Sequence, residues 1–139
     1  MGFAPDLKTF YLTCSTRRRI YQYNHHRETG KLDFPALVSQ ASKKEGIPDG
    51  LTVDRQGHIW SARWDSSAVV HHDLFGKVLG KIILPVAKVT SLCFGGPDLD
   101  EFYTTSAGGT AGSNTLEGAI LKIPAPHPGP PEFESRIRL

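Results

Sequence analysis

The 139-residue chain carries 16 Lys and Arg against 14 Asp and Glu, a formal charge of +2, with 39% hydrophobic and 22% charged residues. That length suits one domain with a modest core, and the composition excludes both extended disorder and a membrane-spanning helix, since the apolar run Ile82-Ile83-Leu84 is far too short to cross a bilayer. So balanced a charge offers no broad attraction to polyanions, and neither nucleic acid nor membrane is expected as a partner.

In chain order, 14 Gly and 10 Pro punctuate short β-rich runs, and no segment sustains a helical apolar period. Strands are predicted over residues 10–14, 20–24, 51–54, 58–64, 69–73, 78–84, 92–95, 101–106 and 119–123, with a helical turn only within 39–45. The chain is therefore read as all-β. Arg17-Arg18-Arg19, the densest basic cluster, beside Ser15 and Thr16, reads as a solvated turn in preference to a phosphate grip. Cys14 and Cys93 lie far apart, fit no CxxC pattern and are expected to be buried thiols. No charged segment followed by an apolar stretch opens the chain, so the expected compartment is the cytoplasm.

These strands recur with the same turns. Leu51-Thr-Val-Asp-Arg-Gln-Gly-His-Ile-Trp-Ser-Ala-Arg-Trp64 is an apolar strand, a Gly turn and an aromatic strand, followed by Val69-Val70-His71-His72-Asp73. The segment 3–14 followed by 20–24 repeats this pattern, with Phe10 set against Trp60 and Tyr11 against Ser61, and the segment 92–106 repeats it again. Leu51 to Leu92 is a step of 92 − 51 = 41 residues. A period near 40 with about four strands per unit is the signature of a β-propeller blade, because a single small sheet cannot bury its faces alone. The expected division is one partial propeller domain over 1–139, with units at about 1–45, 46–88 and 89–139.

The ordered series Glu45-Gly-Ile-Pro-Asp-Gly-Leu-Thr-Val-Asp54, Ile59-Trp-Ser-Ala-Arg-Trp64, Pro85 and Thr90-Ser-Leu-Cys-Phe-Gly-Gly-Pro-Asp-Leu99 closely resembles the regucalcin, gluconolactonase and senescence-marker-protein family. The match runs from Gly2 to Ile123. The resemblance implies a six-bladed propeller holding one divalent cation, calcium or zinc, in its channel, and hydrolysis of a small-molecule sugar lactone to the aldonic acid. It also implies that this chain supplies three of six blades, each of four antiparallel strands, as a catalytically incomplete form. The alternatives are a calcium-binding or other non-catalytic propeller module, and a half-propeller that closes on a second copy through its open blade faces.

In that family the cation is held by a Glu, two Asn and the Asp of the IPDG motif. Here that Asp is Asp49. The Glu and one Asn belong to the blades this chain does not contain, and the other Asn falls just ahead of Met1. The resemblance gives Asp49 two roles, metal ligand and base toward the attacking water, which a carboxylate close to both can combine. On the residues alone, Pro-Asp-Gly favours an ordinary turn Asp at Asp49, and it is the wider series that turns the reading toward a ligand.

Other candidates are weaker. Neighbouring residues on a strand face opposite ways, so neither His25-His26 nor His71-His72 is expected to converge on one ion, and both pairs are assigned to surface strand ends. His58 in a turn and His127 in a Pro-rich tail have no support as ligands. Trp60, Phe10 and Phe102 are read as blade-packing residues at equivalent positions, and Arg63 as a partner in a structural salt bridge sooner than a contact to a substrate hydroxyl. Residues 108–114 are expected to form a flexible loop. No GxSxG, Cys-His pair or phosphate loop is present.

Overall fold

The computed structural model describes residues 1–109 and 116–131, so most of the loop expected at 108–114 lies outside the described residues. Among these residues eleven strands form three antiparallel sheets: β1 (Gly2–Phe3), β2 (Thr9–Cys14), β3 (Arg19–His26) and β4 (Lys31–Gln40); then β5 (Ile47–Val53), β6 (Ile59–Trp64), β7 (Ala68–His72) and β8 (Val78–Ile83); then β9 (Val89–Gly95), β10 (Glu101–Ser106) and β11 (Ile120–Pro124). Each sheet is a meander, its strands hydrogen-bonded in sequence order. The third has three strands among the described residues, one fewer than a full blade.

Turn chemistry sets these meanders. The side chain of Asp54 accepts backbone N–H groups of Gln56 and His58, both at 2.9 Å, and Gly57 supplies the positive φ of 86° that closes the loop. Asp73 repeats the device toward Phe75 and Lys77 with Gly76 at φ 88°. Gly76 also has a packing reason to be glycine: a Cβ there would stand 1.9 Å from the Val38 carbonyl oxygen, so the β7–β8 turn lies directly on β4 of the first sheet.

The sheets pack face against face. Tyr11 and Ile20 of the first sheet meet Leu51, Val53 and Ile59 of the second. Trp60, Ala62 and Val69, on the opposite face of the second sheet, meet Val89, Leu92, Phe94 and Phe102 of the third. The alternation of a strand thus sends Ile59 to one neighbouring sheet and Trp60 to the other.

This geometry corrects the equivalence of Phe10, Trp60 and Phe102. All three are buried, as a packing role requires. But Phe102 faces back to the preceding sheet, as Ile59 does, and its turn is longer: Phe94 pairs with Phe102, eight residues on, whereas Val53 pairs with Ile59, six residues on. In the first sheet Tyr11 faces forward like Trp60, and Phe10, on the opposite face, stands in the place of Ile59.

A 3-10 turn at Lys43–Glu45, closed by a reciprocal Ser42–Glu45 capping box, stands where a helical turn was expected. The arginine cluster is indeed a turn: a 3-10 segment Ser15–Arg17 ends on Arg18 at φ 55°, and the Arg18 guanidinium donates to the Gly46 carbonyl at 2.9 Å, tying the first sheet to the entrance of the second. Neither thiol is buried. Cys14 is partly exposed and Cys93 exposed, because Cys93 alternates with the inward-facing Leu92 and Phe94 and so faces away from the core.

Candidate functional site

Asp49 lies near the start of β5, the first strand of the middle sheet. Its neighbourhood is irregular: the β5–β6 register shifts between Pro48 and Leu51, which frees Asp49 and Gly50 from regular pairing. A Cβ on Gly50 would meet Ser91 atoms at 2.4–2.7 Å, so glycine is what allows β9 to approach β5 beside Asp49. Asp49 itself is only partly exposed. Burial pushes its carboxyl above the ordinary carboxylate range, with the Met1 amino group acting in the opposite sense. Thr90 stands one 41-residue step on, in β9, and its hydroxyl shares a 2.7 Å hydrogen bond with that of Thr105.

A groove of about 720 Å³ is bordered by β1, β5 and β9 through Gly2, Leu51, Val53, Leu92 and Cys93, with Pro130 and Pro131 at its rim. Asp49 does not line it. The concavity is lined more by apolar than by polar groups, so size alone does not locate the chemistry suggested by the IPDG motif.

A cation at Asp49 needs more donors than Asp49 offers. A hard divalent ion takes six or more oxygens. Among the described residues no cluster of three His, Cys, Asp or Glu donors includes Asp49. One carboxylate does not by itself make a calcium site.

The one such cluster among the described residues combines His58, His71 and His127, whose donor nitrogens all lie within 4.8 Å of one another. His71 and His72 are buried, 9% and 1% exposed, and not at the surface as their strand-end position suggested. His71 stacks on Trp60 with ring centroids 3.9 Å apart and planes 5° from parallel, and its Nε2 shares a 3.1 Å hydrogen bond with His58 Nδ1. Burial, reinforced by the neighbouring His58, pushes the His71 pKa down to about 4. Below the histidines, fully buried Asp54 accepts the Trp60 indole N–H at 3.0 Å and lies 3.6 Å from His58 Nδ1.

His72 faces the other way, where Arg63 Nη2 meets its Nε2 at 2.9 Å. Arg63 is 2% exposed, yet no carboxylate lies within ion-pair distance of it among the described residues, and its Nε and Nη1 have no hydrogen-bond partner. The expected salt bridge does not form among the described residues. Desolvation accordingly pulls the Arg63 pKa down to about 10, with Glu45 partly opposing it. The remaining pair is superficial: His25 Nδ1 meets the Leu7 carbonyl and His26 Nε2 meets Asp33.

Sequence reasoning missed the histidine cluster. Its members are separated by 71 − 58 = 13 and 127 − 71 = 56 residues, match no ligand spacing, and come together only when the tail after β11 returns to the second sheet. The His71–Trp60 register across β6 and β7 was the one local signal.

Comparison with known proteins agrees with the fold. Residues 1–108 match the SMP-30/Gluconolactonase/LRE-like region. The chain is 41% identical to pentonolactonase XacC of Haloferax volcanii over 148 positions, covering 100% of this chain and 51% of that protein. It is 39% identical to regucalcin of Gallus gallus over 108 residues, covering 77% of this chain and 36% of that one. A crystal structure of a calcium-binding protein, regucalcin from Agrobacterium tumefaciens, superposes with a TM-score of 0.85 at 26% identity, over 99% of this chain and 48% of that chain. A gluconolactonase from Xanthomonas campestris gives 0.63 at 26% identity, over 75% and 33%. The chain thus spans about half the length of the first of these relatives and less of the others. With its three propeller-like sheets and a match over residues 1–108, this chain belongs to the SMP-30, gluconolactonase and regucalcin family.

Proposed function

We propose that this chain is the Asp49-bearing half of a cation-dependent sugar-lactone hydrolase, in which Asp49 supplies one oxygen to a divalent ion and takes the proton from the attacking water. The observation that carries the reading is the 41% identity to a pentonolactonase along the full chain. In support, Asp49 occupies an irregular, partly buried position whose desolvation raises its proton affinity, which suits a base. Asp49 would help hold calcium or zinc there, and the bound ion would supply Lewis-acid polarisation of the lactone carbonyl. The donors beyond Asp49 come from outside these three sheets, so the activity is proposed for the closed ring. The substrate is a small aldonolactone, and the compartment is the cytoplasm.

The test is aldonolactone opening followed by a pH indicator, with and without added divalent cation, alongside sedimentation to establish assembly. The 139-residue chain as a monomer should stay near background. A six-bladed ring, made by placing three family blades ahead of this chain, should open the lactone with cation and lose that turnover on Asp49→Ala. Cation-dependent turnover by a demonstrated monomer, or a closed ring indifferent to Asp49→Ala, overturns the assignment. Closure by a second copy of the chain would instead appear as turnover confined to a dimer.

A further inference from the structure

We infer that His58, His71 and His127 form a binding site for a borderline transition-metal cation, represented by Zn²⁺, separate from the position of Asp49, and that the ion staples the third sheet to the second. Imidazole nitrogens favour Zn²⁺, Cu²⁺ or Ni²⁺, whereas Ca²⁺ takes oxygen, so this donor set selects a different class of ion from the hard oxygen site proposed around Asp49. Two ligands on a tetrahedral Zn²⁺, with bonds of about 2.0–2.1 Å, stand about 3.3 Å apart. His71 Nε2 and His58 Nδ1 are already 3.1 Å apart, and the three donor atoms lie within 4.8 Å. Rotation of the partly exposed His127 ring would close the remaining gap.

The ligands are held before any ion arrives. The His71 ring lies flat on Trp60, itself 1% exposed. His58 closes the turn whose Asp54 carboxylate accepts its backbone N–H, and that carboxylate places negative charge 3.6 Å from the ring. His127 is carried by a tail fixed at several points: Ala125 N–H to the Asp100 carbonyl at 2.8 Å, Gly129 N–H to the Leu99 carbonyl at 2.8 Å, Arg55 N–H to the Pro128 carbonyl at 3.1 Å and Arg55 Nε–H to the Gly129 carbonyl at 2.7 Å. Gly129 is packed so closely on Phe94 that a Cβ would stand 2.1 Å from its ring. Three neutral imidazoles each present one lone pair to the ion, and the His58–His71 hydrogen bond gives way by a tautomer change without net loss of a proton. With three protein ligands, a fourth position remains for water.

The experiment is titration of the metal-free 139-residue chain with Zn²⁺ by calorimetry and with Co²⁺ by visible absorption, together with thermal melts. One equivalent should bind with micromolar or tighter affinity, Co²⁺ should develop the strong visible bands of four-coordinate nitrogen ligation, and Tm should rise with Zn²⁺. His127→Gln and His58→Gln should each weaken binding at least tenfold and remove the Co²⁺ bands. A His25→Gln/His26→Gln double variant should bind as the parent does, and millimolar Ca²⁺ should not displace Zn²⁺. His71 is left in place because its ring stacks on Trp60 and its removal would also disturb the buried packing. Affinity weaker than millimolar, or affinity unchanged in both His127→Gln and His58→Gln, overturns the site.

Discussion

The middle sheet and its two flanking sheets are built from the same repeat but live in different environments. In β6 every residue from Ile59 to Arg63 is buried, and in β7 all five are, because a sheet lies against each face. In the corresponding strands of the first sheet, β2 and β3, only Phe10, Tyr11 and Ile20 are buried, and in β10 of the third sheet only Phe102 and Thr104 are, with Tyr103 36% exposed. A propeller sheet is stable through its neighbours. The middle sheet therefore records what a complete ring does to every blade, and the flanks present faces suited to further blades or a second copy.

The sharpest way to break this contrast is to empty the middle. Trp60 is 1% exposed, packs on Phe102 and His71, and donates its indole N–H to buried Asp54. Trp60→Ala should cost about 3–5 kcal/mol, a large share of a small domain's stability, and leave Asp54 without that donor. Phe75→Ala, at a residue 81% exposed on a loop of the same sheet, should stay within about 0.5 kcal/mol. Urea denaturation of the pair checks both; equal losses would mean that burial in the middle sheet does not govern stability.

A smaller effect is expected where the middle sheet meets the third near Asp49. Gly50→Ala forces a methyl group onto Ser91 and should cost about 1–3 kcal/mol, with β9 displaced from β5. Gly80→Ala on outer strand β8, where an added Cβ meets nothing within 4 Å, should be nearly neutral. Thermal melts of the two variants separate a real close approach from a generic glycine effect.

Arg63 tests whether a buried charge is there for stability. With Nε and Nη1 unpartnered and His72 its one hydrogen-bond partner among the described residues, the guanidinium loses solvation without an ion pair in return. Arg63→Met should leave stability within about 1 kcal/mol of the parent or raise it, whereas Arg63→Ala should lower it by leaving a cavity. A large loss in Arg63→Met, measured by denaturant midpoint, would show that the charge itself holds the first and second sheets together.

The fold was legible because it is local. Nine strands follow from period-2 alternation between Gly and Asp turns, and the 41-residue step from Leu51 to Leu92 gives the repeat. The ten-residue β4 escaped because it is an outer strand: it carries Pro35, buries no residue, and so shows no alternation to read. Phe10 was matched to Trp60 by counting from turns whose lengths differ, and one residue of slip reverses a face. Asp49 was visible through the IPDG resemblance and not through its chemistry. His58, His71 and His127 were invisible because only the returning tail unites them.

The smallest expected effect concerns the thiols, and it tests whether the flanking faces are open in solution. Cys93 lies on the outward face of the third sheet, and Cys14 is partly exposed where β2 ends. The Thr16 hydroxyl and the Arg17 backbone N–H stabilise the Cys14 thiolate, and Arg17 and Arg19 add positive charge, holding its pKa below the usual thiol range. In native buffer a disulfide reagent should therefore label both thiols without denaturant. In a Cys93→Ser variant, the Cys14 rate should be half-maximal at a lower pH than the ~8.5 of a free cysteine. In a Cys14→Ser variant, Cys93 reports on its own face. If a second copy covers the third sheet, Cys93 should be protected at high protein concentration and recover on dilution, while Cys14 labelling in the other variant stays constant. If the face is open at every concentration, the Cys93 rate should not change with protein concentration, and pairing through that face is ruled out.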